Sequence, residues 1–156
     1  MNRKNNALVR SALGVYTCRQ GHEHGQAKYT LIYNTDNVLA FGVSFKVGES
    51  GQELRTVTTW FSRDQFSDWL KEAPGGATLS LGECGARIRK SAPYTMTLKF
   101  AALTLSDGET KVSPMLLISR DFLVGFIAMT YDIVPRNDEA AFLQLDACLE
   151  KILDAK

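Results

Sequence analysis

The sequence predicts an α+β fold, built from units of antiparallel β-sheet that are each followed by a helix. Three observations predict this class. Runs with a period of two alternate with turn residues, two segments switch to helical spacing directly after a strand, and Ser-Arg-Asp occurs at both junctions, at residues 62 and 119. The shared context predicts an internal duplication of several strands followed by a helix, with a further helix at the C-terminus.

The first half of the chain predicts an antiparallel meander. Strands are expected at 8–17, 27–33, 39–47 and 54–61. One face of the third strand is expected to be buried, because apolar residues alternate with small or polar ones at Leu39, Phe41, Val43, Phe45 and Val47. Turn residues separate the strands at 21–25, 34–37 and 48–51, as sequential hairpins require.

A helix is predicted to begin at the first Ser-Arg-Asp tripeptide. Ser62 followed three residues later by Gln65 is a capping box, and Asp64 suits the positive end of the helix dipole. The apolar residues Phe66, Trp69 and Leu70 then have helical spacing. We expect this helix to end at the Pro-Gly-Gly sequence of residues 74–76.

The second half repeats this order of elements. Strands are expected at 77–81, 85–90, 95–105 and 111–118, and Ser119 begins the second strand-to-helix junction. A final helix is predicted over 138–155, because apolar residues fall on one of its faces and Pro135 and Asn137 separate it from the preceding helix.

Length and composition indicate one ordinary globular domain, assigned to residues 1–156 with an ordered core of about 7–155. Hydrophobic residues make up 45% and charged residues 22%, which is inconsistent with a disordered or fibrous chain. Eighteen Lys and Arg against seventeen Asp and Glu leave a formal charge of +1, so no strong overall attraction to nucleic acid or anionic lipid is expected.

The sequence also predicts a cytoplasmic location. Residues 1–6 are basic, but no apolar segment of signal-peptide length follows them. The apolar run at 122–129 is far shorter than the ~20 residues of a membrane span. Cys18, Cys84 and Cys148 are odd in number and far apart, which fits neither a disulfide framework nor a metal knuckle.

No catalytic, cofactor or metal site is predicted. His22 and His24 would share one face of an extended segment, as a two-ligand metal site needs, but no third ligand is apparent and a solvated hairpin tip explains them equally well. Asp64 and Asp121 could serve as general bases, yet capping and the helix dipole account for both. Cys84 has no histidine nearby in sequence, and no glycine-rich loop has the pattern of a phosphate-binding motif.

One basic cluster is a candidate binding surface for nucleic acid or an acidic partner. It combines alternating cations with an aromatic residue and consists of Arg87, Arg89, Lys90, Tyr94 and Lys99. A plain solvated strand face is the alternative explanation of the same residues.

Three segments resemble, in order and spacing, motifs of the SsgA-like sporulation and cell-division proteins of actinobacteria. The first is the strand segment that begins at Tyr33 and continues to Phe45, and the second is the Phe-Ser-Arg-Asp junction of residues 61–64. The third lies near the C-terminus. The matching positions that we single out are Tyr33, Phe61, Arg63, Asp64, Thr130, Pro135, Leu145 and Asp146.

The resemblance covers about residues 27–155 and fades between 82 and 108. Two departures stand out: the family's Asp-Pro-Tyr is Asn37-Val38-Leu39 here, and Gln65-Phe66 replaces a Leu-Leu pair. These departures indicate a divergent member, whose partner surface can differ from that of its relatives.

The resemblance implies two repeated sheet-plus-helix units, similar to the whirly single-stranded nucleic-acid-binding proteins and assembled as a trimer. It also implies a non-catalytic regulator of septum placement in sporulation, recruited to division septa. The implied partners are the tubulin-like division-ring protein FtsZ and other SsgA-like proteins. We expect exposed apolar positions on the helices after Ser62 and Ser119 to form the contact surfaces. The alternative is a whirly-like protein that binds single-stranded nucleic acid through the basic cluster.

Overall fold

A computed structural model of the chain describes residues 7–18, 23–47, 55–80, 87–90, 94–100, 103–104, 111–112 and 114–139. The strands are β1 (Ala7–Cys18), β2 (Glu23–Asn34), β3 (Ala40–Val47), β4 (Arg55–Ser62), β5 (Thr78–Leu79), β6 (Arg87–Lys90), β7 (Thr95–Lys99), β8 (Leu103–Thr104), β9 (Lys111–Val112) and β10 (Met115–Ser119). The helices are α1 (Arg63–Glu72) and α2 (Arg120–Ile133), with 3₁₀ turns at Thr35–Asn37 and Arg136–Asp138. The α+β class is therefore confirmed.

Eight of these strands form one antiparallel sheet in the order β4-β3-β2-β1-β10-β7-β6-β5, while β8 and β9 pair separately. The two halves of the sheet meet where β1 pairs with β10, with Val15 opposite Leu117. Strands β1 to β4 follow one another as the meander that the sequence predicts. The duplication and the whirly-like architecture remain predictions.

Both helices pack on the same face of the sheet. Phe66 of α1 meets Phe41 of β3 with ring centroids 5.2 Å apart, and Phe122 of α2 meets Tyr29 of β2 at 5.8 Å. Alternate strand residues supply the rest of this core, including Leu31, Val43, Phe45, Phe61, Ile88, Met96, Leu98, Leu116 and Ile118. We call the opposite side of the sheet the open face. It carries the other half of each strand's side chains.

Three expected strands differ from the observed ones. Leu39 does not begin β3, because a 3₁₀ turn precedes the strand and Leu39 lies exposed in the chain that follows this turn. The run at 111–118 is divided at Pro114, which has no N–H to donate to a sheet, and β10 begins only after it. The predicted strand at 95–105 is likewise two strands, β7 and β8, in different sheets.

Both helices begin as the sequence predicts. The Ser62 hydroxyl accepts a hydrogen bond from the backbone N–H of Gln65, and the Ser119 hydroxyl accepts one from Phe122. Helix α1 ends before Pro74, as expected. The predicted C-terminal helix lies almost entirely outside the described residues, which end at Glu139. Among the described helices, none has the length and apolarity needed to cross a membrane.

Candidate functional site

The first Ser-Arg-Asp junction contains a buried arginine, Arg63, whose side chain is fully inaccessible to solvent. Its Nη1 donates hydrogen bonds to the carbonyl oxygens of Thr130, at 3.1 Å, and Val134, at 2.8 Å. Its Nη2 forms an ion pair with Glu139. The two carbonyls lie at the C-terminal end of α2, where the Thr130 carbonyl also accepts the backbone N–H of Val134. The guanidinium therefore adds a second donor to Thr130 and provides one for the carbonyl of Val134, which follows the helix.

Two tyrosines flank the Arg63 guanidinium. Its central carbon lies 4.1 Å from the ring centroid of Tyr131 and 5.1 Å from that of Tyr33, which places a cation over two aromatic rings. The Tyr33 hydroxyl donates to the Val38 carbonyl oxygen at 3.0 Å. Burial raises the pKa of both tyrosines to about 12, and the hydrogen bond to Asp64 adds to this rise for Tyr131.

A second, more exposed set of contacts surrounds the same junction. Tyr131 donates to a carboxylate oxygen of Asp64 at 2.7 Å. Arg136 forms two hydrogen bonds of 2.8 Å with Asp68, and its Nε lies 3.8 Å from Asp64. The hydrogen bonds from Arg136 lower the pKa of Asp68. These contacts tie the chain that follows α2 to the first two turns of α1.

Glu139 completes the network around Arg63. Burial raises the pKa of its carboxyl group, against the lowering effect of Arg63, and neighbouring Asp64 raises it further. An arginine enclosed by a carboxylate, two helix carbonyls and two aromatic rings has all of its strong interactions within the protein. The arrangement therefore joins α1, α2 and the chain after α2.

The structure brings four of the predicted family-motif residues together here: Tyr33, Arg63, Asp64 and Thr130. Phe61 lies in the adjacent core, stacked on Phe41. Pro135 is exposed and precedes the 3₁₀ turn that contains Arg136. The other two matching positions, Leu145 and Asp146, lie outside the described residues.

The predicted basic cluster is divided between the two faces of the sheet. Arg87, Arg89 and Lys99 are exposed on the open face, and the register places Arg87 directly opposite Lys99. Tyr94, just before β7, is 75% exposed. Lys90 points to the helix side instead, because successive strand residues alternate between faces. It is therefore not part of the exposed surface.

Lys90 has a structural role at the end of α1. Its ammonium donates to the carbonyl oxygens of Leu70, at 2.7 Å, and Ala73, at 2.6 Å, and lies 5.0 Å from the Trp69 ring centroid. A cation at this position complements the negative end of the helix dipole. Desolvation, and then the charge of Arg120, lower the pKa of Lys90.

The large apolar residues described as exposed lie mainly on the sheet, and the contact surfaces expected on the helices stay a prediction. Four of them share the open face of β1 and β10 and form what we call the apolar stripe: Val9, Leu13, Val15 and Leu117. On the helices, the large apolar side chain described as exposed is Val124. The period-two pattern Val9, Leu13, Val15 was a detectable signal for this surface, but the sequence does not say which face the helices cover.

The possible metal site stays untested. His22 and the side chain of His24 lie outside the described residues. Within the described part of the chain, no three His, Cys, Asp or Glu residues are grouped so that they could hold a metal ion.

Several solved structures are similar to this chain. No protein-family model matches the chain, and no curated protein matches it significantly. The crystal structure of an SsgA-like sporulation-specific cell division protein from Thermobifida fusca YX-ER1 has a TM-score of 0.66 at 16% identity, covering 97% of this chain and 98% of the other. SsgB of Streptomyces coelicolor, whose mutations correlate to longitudinal cell division during sporulation, has a TM-score of 0.59 at 17% identity, covering 91% and 99%. The predicted resemblance is thereby confirmed, and the chain has the fold of SsgA-like sporulation-specific cell division proteins.

Proposed function

We propose that this protein is a non-catalytic regulator of sporulation-specific cell division that acts as an oligomeric adaptor at the septum. The observation that carries the proposal is the fold similarity, which spans nearly the whole of this chain and of both solved structures. The partners implied by the sequence resemblance are FtsZ or other SsgA-like proteins, and the implied assembly is a homotrimer.

The apolar stripe supports an adaptor role. Leu13 is 66% exposed, and Val9, Val15 and Leu117 are each more than a third exposed on the same face. Val15 and Leu117 are directly paired across the join between the two sheet halves. A group of exposed apolar side chains on a pleated face is typical of a surface that another protein covers. We therefore assign the stripe to contact between copies or with a division protein.

The Arg63 network supports the same proposal from the other side of the molecule. Its hydrogen bonds are made inside the protein, and it fixes the helices against the sheet. A rigid scaffold with an exposed apolar surface suits recognition, whereas catalysis would need converging polar groups that are open to a substrate.

A matched pair of charge substitutions tests the proposal. Leu13→Glu places a carboxylate in the apolar stripe, and Val124→Glu makes the same kind of change on the exposed side of α2. We expect light scattering after size-exclusion chromatography to show an oligomer for the wild type and for Val124→Glu, and smaller species for Leu13→Glu with an unchanged circular dichroism spectrum.

The cellular arm uses fluorescent fusions of the same three proteins in sporulating Streptomyces coelicolor. The wild type and Val124→Glu are expected at sporulation septa, and Leu13→Glu is expected to be diffuse. A wild-type protein that is strictly monomeric and shows no septal localisation would contradict the proposal.

Binding of single-stranded nucleic acid is the second candidate function. The observation that favours it is the exposure of Arg87, Arg89 and Lys99 on one face, with Tyr94 nearby as a stacking group. Its signature is an affinity for a labelled oligonucleotide that falls steeply with salt, because phosphate contacts release counterions. Arg89→Gln should weaken binding, whereas Lys71→Gln on the exposed side of α1 should not. No binding at low salt would exclude this function.

A further inference from the structure

A cleft of about 520 Å³ borders the open face in the first half of the sheet. It adjoins the apolar stripe, since Leu13 pairs with Lys28 and Val15 pairs with Gln26, and it is separate from the Arg63 network. Its polar lining comes from alternate residues of β2, β3 and β4, namely Gln26, Lys28, Thr30, Ser44, Lys46 and Thr56. The residues between them include Tyr29 and Phe45, which are buried in the core. The polar set therefore faces away from the helices.

The two lysines lie one residue beyond the end of the β2–β3 pairing. Tyr29 pairs with Phe45 across β2 and β3, and continuing this antiparallel register by one residue places Lys28 opposite Lys46. Like charges at facing positions destabilise a sheet, so the pair is unfavourable for folding by itself. Both side chains are exposed.

Beside these lysines, the described part of the sheet has no carboxylate. None of the described side chains of the eight-stranded sheet is acidic; the described Asp and Glu side chains belong to the helices and turns. Among the described residues, the charges are therefore separated, with cations on the sheet. An anion from another molecule would neutralise Lys28 and Lys46.

Hydroxyl groups next to the lysines provide further donors. Thr58 Oγ1 donates to Ser44 Oγ at 3.2 Å, which leaves the Ser44 proton for another acceptor. Thr30 and Ser11 share a hydrogen bond of 3.0 Å between their hydroxyls in the same cross-strand row. Ammonium and hydroxyl donors around one cleft match the acceptor oxygens of a phosphate group.

We propose that this cleft binds a small phosphorylated molecule through Lys28 and Lys46, with Ser44 as an additional donor. Its volume lies within the range of about 300–1,000 Å³ that is typical of small-molecule sites. A single-stranded nucleic acid is the less suitable ligand here, because such chains are held by exposed aromatic rings. The aromatic residues described in the lining are Tyr16, which is half-buried, and Phe45, which is buried.

The test is isothermal titration calorimetry of the full chain with inorganic tripolyphosphate and, separately, with a nucleoside triphosphate. The variants are Lys28→Gln and Lys46→Gln. Lys71→Gln on the exposed side of α1 is the matched control, since it makes the same charge change outside the cleft, and Lys99→Gln tests the other like-charged pair of the open face, opposite Arg87. We expect each cleft variant to weaken binding at least about tenfold, as the loss of one charge-assisted hydrogen bond would. The control should bind like the wild type.

Thermal unfolding provides a second readout that does not depend on detecting heat of binding. Without ligand, Lys46→Gln should raise the Tm by up to about 3 °C, because it removes the repulsion with Lys28. With tripolyphosphate, the wild type and Lys99→Gln should gain stability and Lys46→Gln should not. If Lys46 had only a structural role, its substitution would not raise the Tm without ligand and also abolish the stabilisation by tripolyphosphate.

Three results would overturn the proposal. One is that neither phosphate compound binds the wild type. Another is that binding survives both cleft substitutions unchanged. The third is that Lys99→Gln weakens binding as much as Lys28→Gln, with a single-stranded oligonucleotide binding more tightly than tripolyphosphate. That result would assign the lysines to a general polyanion surface of the sheet.

Discussion

The two Ser-Arg-Asp junctions have the same backbone arrangement and different surroundings. Ser62 pairs with Ala40 and Ser119 pairs with Thr95, so each junction begins beside the first residue of a neighbouring strand. The backbone N–H of Arg63 donates to the carbonyl of Leu39, and that of Arg120 donates to the carbonyl of Tyr94. Both acceptors immediately precede that neighbouring strand, a correspondence that the predicted duplication would produce.

The side chains of the two arginines differ in what covers them. Arg63 is fully buried under the end of α2 and the chain that follows it, whereas Arg120 is half-buried. Asp64 accepts a hydrogen bond from Tyr131, and Asp121 is exposed. The comparison teaches that one tripeptide can specify a strand-to-helix junction by local chemistry, while its stabilising role depends on the elements packed over it.

The largest difference in the free energy of unfolding between the two junctions is expected for Arg63→Ala and Arg120→Ala. Removing Arg63 leaves the buried Glu139 carboxylate without its ion pair and takes a hydrogen bond from the carbonyls of Val134 and Thr130, which should cost about 3–5 kcal/mol of unfolding free energy. Removing the half-buried Arg120 should cost less than about 1 kcal/mol. Urea unfolding followed by circular dichroism measures both. Equal losses would show that the two junctions are equivalent in energy as well as in backbone.

A smaller difference in the free energy of unfolding is expected between Tyr131→Phe at the first junction and Asp121→Asn at the second. Tyr131→Phe removes a hydrogen bond of 2.7 Å to the half-buried carboxylate of Asp64 and should cost about 1.5 kcal/mol. Asp121→Asn removes only the attraction of an exposed charge to the helix dipole, about 0.5 kcal/mol. Chemical denaturation distinguishes the two losses, and a larger cost for Asp121→Asn would contradict the comparison.

The helix caps should behave alike at the two junctions. The Ser62 hydroxyl oxygen lies 3.4 Å from the backbone nitrogen of Gln65, and that of Ser119 lies 3.3 Å from the backbone nitrogen of Phe122. Ser62→Ala and Ser119→Ala should therefore each lower the free energy of unfolding by about 1 kcal/mol. Thermal unfolding of both variants, with Ser62→Asp and Ser119→Asp as capping-competent controls, checks this similarity. Failure of the aspartate variants to restore stability would argue against capping as the role of these serines.

The last prediction concerns the pH dependence of stability at the first junction, where the free energy of unfolding should change only at alkaline pH. Tyr33 and Tyr131 have pKa values of about 12 in the folded protein against 10.0 in the unfolded chain, because of burial. Between these values the unfolded state loses protons that the folded state keeps, so stability should fall as pH rises from 10 towards 12. Tyr131→Phe should make this fall shallower in unfolding experiments at fixed alkaline pH, and an unchanged slope would contradict it.

The departures from expectation have identifiable causes. Lys90 was grouped with Arg87 and Arg89 because the three are close in sequence, although alternation along a strand places Lys90 on the other face. The sequence predicts contact surfaces at exposed apolar positions of α1 and α2, but it does not state which side of the sheet the helices cover. In the structure the helices bury one face and leave the apolar stripe on the other.

By itself the sequence determined the local features of this protein. The N-caps at Ser62 and Ser119, the end of α1 before Pro74 and the alternation within β3 follow from interactions between residues a few positions apart. Two features are visible only in the three-dimensional structure. Arg63 lies at the centre of a buried network, 76 positions before its partner Glu139, and Lys28 and Lys46 line the same cleft. Burial and charge pairing depend on which distant elements pack together, and this packing cannot be predicted from residues that are close in sequence.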